Sequence, residues 1–308
     1  MRLIMLLTAF VAATAMAQEG PPFCGEEGPW IQILGAGGSD LNDGLSGSGY
    51  LVWIDNQARL LVDPGPGSST AFDRSGANFA DLDAVVFTHL HADHTADFPA
   101  FIQGSYFSER DQPLIVLGPD SSPSLSDQFT DTETFIARLI GPNGAYAHLA
   151  EFLTYKSTGG YKINARNVPS TGSRKWARFS SDHFRLSSVP VNHGTVPAIA
   201  WRVDMEGYGI VFTGDFSNSK NVMANFAKDV TALVIDHAIP ENARGEARDL
   251  HVTPSQIGQI AGRAKPNMVI LSHRTKRTMG RESQSRALIE DQYEGSVLFA
   301  NDMECWGL

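Results

Sequence analysis

The chain has 308 residues, 42% hydrophobic and 19% charged, an ordinary globular composition with length for one large domain or two small ones. A formal net charge of -10 argues against a surface that coats nucleic acid generally, while leaving room for a local basic site. The two cysteines, Cys24 and Cys305, either bridge the ends of an exported chain or stand as free thiols.

At the N-terminus, Arg2 precedes a mostly apolar stretch over residues 3–13 and then the small-x-small sequence Ala15-Met16-Ala17. This is the pattern of a secretory signal peptide, 1–17, with cleavage expected after Ala17 and a single exported domain, periplasmic or secreted, over 18–308. A transmembrane anchor is the alternative, but the stretch is shorter than the roughly 20 residues a span needs. No later run is long enough to span, so no membrane association is expected after cleavage.

Apolar runs of strand length follow at 30–34, 50–54, 60–62, 84–87 and 114–117, with a helix-like stretch at 127–140. The alternation resumes at 199–203, 210–212, 233–235, 268–271 and 297–300. Two such sets predict a layered α/β protein of two similar halves, about 30–195 and 196–308. Between them, about 141–182 is rich in Gly, Ser, Asn and basic residues and reads as a loop insert. Its Lys156, Lys162, Arg166, Arg174, Lys175 and Arg178, with Arg185 beyond, outnumber Glu151 and Asp182. The insert is either a lid that attracts an anionic ester or a solvated loop, and Tyr161 and Trp176 either pack on an aryl group or anchor it. Thr253, Pro254 and Gln256 read as N-cap, first helical position and capping box, ahead of an apolar face of Ile257, Ile260, Ala261 and Ala264.

The densest chemistry lies in "VVFTHLHADHTADF", where an apolar strand runs into His89, His91, Asp93 and His94. Neutral imidazoles and a carboxylate suit zinc and related metals, and alternate residues of an extended loop point to one side. Four residues cannot complete two metal shells, so more ligands are required at other strand ends. His193 after "FRLSSVPVN", Asp215 after "YGIVFTG" and His273 after "MVILS" meet that requirement.

In these motifs the chain resembles the metallo-β-lactamase-fold hydrolase superfamily, whose His-x-His-x-Asp-His element is matched by His89 to His94. The resemblance implies an αββα sandwich with a dinuclear site at one edge where the halves meet. It further implies that His89, His91 and His193 hold one ion, that Asp93, His94 and His273 hold the other, and that Asp215 bridges them. Asp63, in "LLVDPGPGSS", matches the Asp that supports the metal loop. Two divalent ions, zinc first with manganese or iron as alternatives, would make a hydroxide nucleophile at neutral pH.

A strand-end Asp as the bridging group, with "LHVTPSQIGQIA", is similar to the branch that contains ribonuclease Z and zinc-dependent arylsulfatases. That likeness implies His251 as the acid that protonates the leaving oxygen, with Asp93 as a second proton acceptor. Its partner is left open among Asp236, His237 and Glu241. A recognisable tRNA-binding arm is lacking, and an exported enzyme would not meet precursor tRNA. The expectation is therefore an enzyme cleaving a small anionic ester, phosphodiester or sulfate, with no stable nucleic-acid partner. A β-lactamase or lactonase and a non-catalytic metal-binding protein are the alternatives; dimers are common in the branch, but nothing in the sequence locates an interface.

Overall fold

The computed structural model describes residues 28–121, 128–154 and 160–308. The expected signal peptide, Cys24 and Lys156 lie outside the described residues. Strands β1 (Trp30–Gly35), β2 (Gly49–Ile54), β3 (Gln57–Val62), β4 (Ala84–Val86), β5 (Leu114–Pro119) and β6 (Ile163–Val168) build one sheet. A second sheet takes β7 (Trp176–Ser180), β8 (Arg185–His193), β9 (Val196–Met205), β10 (Tyr208–Phe212), β11 (Ala232–Asp236), β12 (Met268–Ser272) and β13 (Ser296–Phe299). The last strand, β14 (Cys305–Gly307), returns to pair with β1 at the edge of the first sheet.

The helices are α1 (Ser68–Ser75), α2 (Ala92–Thr95), α3 (Phe98–Gly104), α4 (Thr132–Ile140), α5 (Met223–Phe226), α6 (Glu246–Leu250), α7 (Pro254–Ala264) and α8 (Glu282–Glu290). Successive side chains of a strand point to opposite faces, and the core divides accordingly. Val62 and Val86 of the first sheet meet Trp201, Phe212, Val234 and Ile270 of the second in a layer between the sheets. Their neighbours Leu61 and Val85 pack outward against Phe98, Ile102 and Ile136 of the helices over the first sheet. On the other side, Leu233, Ile235 and Leu271 pack against Ile257, Ile260 and Ile289 of α7 and α8. The result is the expected αββα sandwich.

The described structure departs from the sequence reading in its divisions. The chain passes from the first sheet to the second between Val168 and Trp176, so residues 176–195 join the second sheet, not the first half. The cause is the long antiparallel pairing of β8 with β9, which continues to the His193–Val196 pair at the hairpin tip. Likewise, 141–182 is not a plain loop, because it contributes the edge strands β6 and β7. Both edge strands are largely half-buried or exposed and carry no apolar run, which is why composition reads them as loop. Tyr161 is an anchor, buried against Phe152 at 4.9 Å between ring centres, and Lys175 pairs with Asp204 at 3.8 Å. The helix expected at 127–140 begins at Thr132, where the Asp131 carboxylate accepts the Thr134 backbone N–H at 2.8 Å.

Candidate metal centre

Parallel strands deliver their C-terminal ends to one edge of a sheet. β3 and β4 are parallel, as are β10, β11 and β12, and two antiparallel steps through β9 make β8 run with β10. The residues just beyond these ends are Asp63, the loop from Thr88 to His94, Asp215 and His273, while His193 closes β8 and Asp236 closes β11. His251 joins them from the turn between α6 and α7, directly before the Thr253 cap. Sharp turns aim two of the groups: Asp63 and His273 take φ of 52° and 50°, a region few non-glycine residues occupy. Gly214 has φ of 58°, and a Cβ there would lie 2.5 Å from Thr88 Cβ, so only glycine lets the Asp215 turn close on the Thr88 loop.

Asp63 fixes that loop. Its fully buried carboxylate accepts the Thr88 N–H and the Thr88 hydroxyl, each at 2.7 Å, and the His94 Nδ1–H at 2.9 Å. His94 therefore turns Nε2 toward Asp215 Oδ1, 3.5 Å away, and Asp93 Oδ2, 3.8 Å away. His193 is set in the same manner, with Nδ1–H donating to the Leu250 carbonyl at 2.9 Å and Nε2 facing His91 Nδ1 at 3.4 Å and Asp215 Oδ2 at 3.7 Å. His273 Nε2 lies 3.2 Å from Asp93 Oδ2 and 3.3 Å from Asp215 Oδ2, and His89 Nε2 lies 4.0 Å from Asp215 Oδ2.

All seven expected ligands thus converge. His89, His91 and His193 form one group whose donor atoms lie within 4.8 Å of one another, Asp93, His94 and His273 form another, and Asp215 joins His89 with His94 in a third. These side chains fit metal ions. A tetrahedral ion with ligands at about 2.0–2.1 Å holds them about 3.3–3.4 Å apart, close to the spacings found here and looser than strong hydrogen bonds. His89 Nε2, His94 Nε2 and Asp215 Oδ1 are buried with no hydrogen-bond partner, which is costly unless a cation receives them.

The electrostatics agree. Burial pushes the His89 and His193 imidazoles down, His193 to about 4, so both stay neutral donors at pH 7. Burial also opposes charge on His94, Asp93 and Asp215, but their mutual attraction overrides it. Asp215, Asp93 and Asp63 hold His94 well above the usual imidazole range, and the adjacent histidines hold Asp93 and Asp215 below the usual carboxylate range. The carboxylates call for positive charge at this spot.

The open question of the His251 partner is resolved by contact. His251 Nδ1–H donates to Asp236 Oδ2 at 2.9 Å, and burial raises the Asp236 carboxyl to about 6. Glu241 is occupied elsewhere, accepting the Ser255 N–H at 2.9 Å and its hydroxyl at 2.7 Å at the start of α7. His237 points away toward the Ser285 hydroxyl, 2.8 Å from its Nε2. His251 also reaches the centre, with Nδ1 4.0 Å from Asp215 Oδ2. Sequence reasoning missed Thr88 and the Leu250 carbonyl, which orient Asp63 and His193; a hydroxyl between a strand and a histidine was the signal for the first.

Residues 42–107 match the family model described as the metallo-beta-lactamase superfamily, and residues 123–274 match that of the beta-lactamase superfamily domain. The chain belongs to the metallo-β-lactamase superfamily and is a metal-dependent hydrolase of that fold. Its relatives include the ribonuclease Z of Mycobacterium bovis, 27% identical over 284 residues that span 89% of this chain and 96% of the relative. The ribonuclease Z of Metallosphaera sedula is 24% identical over 266 residues, 79% of this chain and 87% of the relative. Among solved structures, the metallo-beta-lactamase fold protein YhfI of Bacillus subtilis superposes with a TM-score of 0.68 at 19% identity, over 91% of this chain and 99% of that one. The short form of human tRNase Z gives 0.68 at 18% identity, over 90% and 98%; these likenesses establish the fold. The names of the sequence relatives do not match the expectation that nucleic acid is no partner.

Proposed function

We propose that the chain hydrolyses an anionic ester, a phosphodiester first and a sulfate ester second, with two divalent ions, zinc foremost, held by His89, His91 and His193 and by Asp93, His94 and His273. The observation that carries this reading is Asp215, whose carboxylate lies within 4.0 Å of a histidine of each group and so can serve both. Such ions supply a water nucleophile at neutral pH and offset the charge that grows on the attacked centre.

The protein's own groups do the remaining work. His251 is placed to carry a second proton on Nε2, as the imidazolium, and deliver it to the departing oxygen, because Asp236 accepts Nδ1–H and offsets the positive charge. Asp93 has a carboxylate oxygen next to His94 and His273, so it can take a proton as well as bind. Asp63 and Leu250 keep the histidine rings from rotating as charge shifts. The acidic balance of the chain supports a small ester over a long nucleic acid. Its N-terminal pattern supports export, and the mature protein is expected to begin at Gln18 on N-terminal sequencing.

The test is hydrolysis of a chromogenic panel, a bis-aryl phosphodiester, an aryl sulfate, a β-lactam and a lactone, beside a structured RNA, with metal content measured on the same preparation. Phosphodiester or sulfate turnover that disappears in Asp215→Ala supports the proposal. Preference for lactam, lactone or RNA at full metal load overturns the substrate class, and absence of bound metal overturns the centre.

A further inference from the structure

Beside the candidate centre lies a small cavity of about 120 Å³ whose wall includes Leu90, His91, Phe129, Phe135, Val196 and Pro197. Two of its walls belong to segments that carry expected ligands. Leu90 and His91 sit in the loop between His89 and Asp93, and Val196 is the residue paired with His193 across the β8–β9 hairpin. The cavity wall is therefore tied to the centre through two short backbone connections. The backbone is also stitched directly, since Ile199 N–H donates to the Thr88 carbonyl at 2.9 Å.

The far wall is equally fixed. The Phe135 ring meets Phe87 edge-on at 6.1 Å, and the Thr132 hydroxyl at the start of α4 donates to the Pro119 carbonyl at 3.0 Å. Among the described residues that line the cavity, His91 alone can carry charge near neutral pH. Leu90, Phe129, Phe135, Val196 and Pro197 are each only half-buried, so their apolar faces are not used up by the core. An apolar cavity of roughly 150 Å³ takes benzene in another protein, so the space here suits a single ring. Ligand sites of this kind are mostly apolar with a few placed polar groups, and His91 supplies one such group.

We infer that this cavity is a specificity pocket, which receives a neutral aromatic ring on the part of the ester that stays with the reacting centre. The inference rests on the hydrolase reading above and gives that reading a substrate class, an anionic ester with an aryl substituent. His251 packs beside His193 and His273, with ring centres 5.4 and 5.6 Å away, and does not line the cavity, whereas His91 does. A ring in the cavity thus belongs to the retained group, leaving the departing oxygen to His251.

The experiment compares two phosphodiesters with the same leaving group, bis(p-nitrophenyl) phosphate and methyl p-nitrophenyl phosphate, in wild type, Val196→Phe, which fills the cavity, and Phe129→Ala, which opens it. The ratio of kcat/KM between the two esters, which cancels their shared leaving group, is expected to fall about tenfold or more in both variants, chiefly through KM. In parallel, p-fluorophenol is titrated into metal-free wild type and Val196→Phe by fluorine NMR, and line broadening is expected only in wild type. A ratio that stays within twofold of wild type in both variants, or p-fluorophenol binding that survives Val196→Phe, overturns the inference while leaving the hydrolase reading intact. Should neither ester be cleaved, the phosphodiester reading fails, and the p-fluorophenol titration still decides whether the cavity takes a ring.

Discussion

Replacing Asp63 by Asn keeps the size of the side chain and removes one acceptor, which isolates the clamp beneath the metal loop. The carboxylate accepts three hydrogen bonds, from Thr88 N–H, Thr88 hydroxyl and His94 Nδ1–H. An amide can keep its oxygen toward Thr88 N–H, and the Thr88 hydroxyl can rotate to accept from the new NH2 group. His94 has no such escape: its Nδ1–H then faces a donor, unless the ring shifts its proton to Nε2, the nitrogen aimed at Asp215. Losing a hydrogen bond to a charged acceptor is worth about 1.5–3 kcal/mol, and a stranded buried donor costs about 1–3 kcal/mol more. Because the ring can relax, we expect about 2–4 kcal/mol of lost stability in urea unfolding of the metal-free protein. Zinc affinity, measured by competition with a chromophoric chelator, is expected to drop about 10–100-fold, as is usual when a group that orients a metal-binding histidine is removed. If Asp63→Asn unfolds within 0.5 kcal/mol of wild type (an estimate of measurement scatter) and binds zinc equally well, the clamp has no such role.

Asp236→Asn leaves His251 in place but removes the negative charge that supports its doubly protonated form, so kcat is expected to fall at least about tenfold while metal content, read by elemental analysis, is unchanged. Glu241→Gln weakens only the start of α7 and is expected to cost about 1 kcal/mol in thermal unfolding with kcat preserved, the opposite pattern. Gly214→Ala brings a Cβ to 2.5 Å from Thr88 in a backbone of φ 58°, and we expect about 1–3 kcal/mol of destabilisation, checked by urea titration. Finally, burial beside Arg274 lowers the His237 imidazole to about 4, while in the unfolded chain it titrates near 6.5. The unfolded state thus binds the proton first as pH falls, so stability is full above about 6.5 and declines by about 3 kcal/mol down to about 4. His237→Gln should flatten that part of the pH profile in urea midpoints, and an unchanged slope would falsify the assignment.

The sheet interiors were legible because β4 and β11 are buried at every position and are apolar throughout, save the Asp236 that ends β11. The expected ligands were legible for a related reason, since each follows such a run. β6 and β7 were not, because an edge strand needs no apolar face of its own and Lys, Arg and Asn serve there as well as in a loop. Asp236 and Glu241 could not be ranked from sequence, since both can reach a histidine a few turns away. What separates them is where the chain goes after β11: Asp236 ends the strand beside the centre, and Glu241 is drawn to the exposed amides of α7. The turn that lets His251 meet Asp236 depends on α6 and α7 together, and no local pattern states it.

The pairing of β1 with β14 sets an order on biogenesis. β1 is the first described strand to leave the ribosome and β14 the last, so one edge of the first sheet waits for nearly the whole chain to be made. Contacts so distant in sequence form late, and an unpaired strand edge invites other chains. Trp30, Ile31 and Gln32, paired with β2 on one side, keep the other side open during that wait. Cys305, at the head of the late strand, is disulfide-bonded, a state that an oxidising compartment favours. Chains cut short of Cys305 would carry every residue of the metal centre and still be prone to aggregate through that open seam.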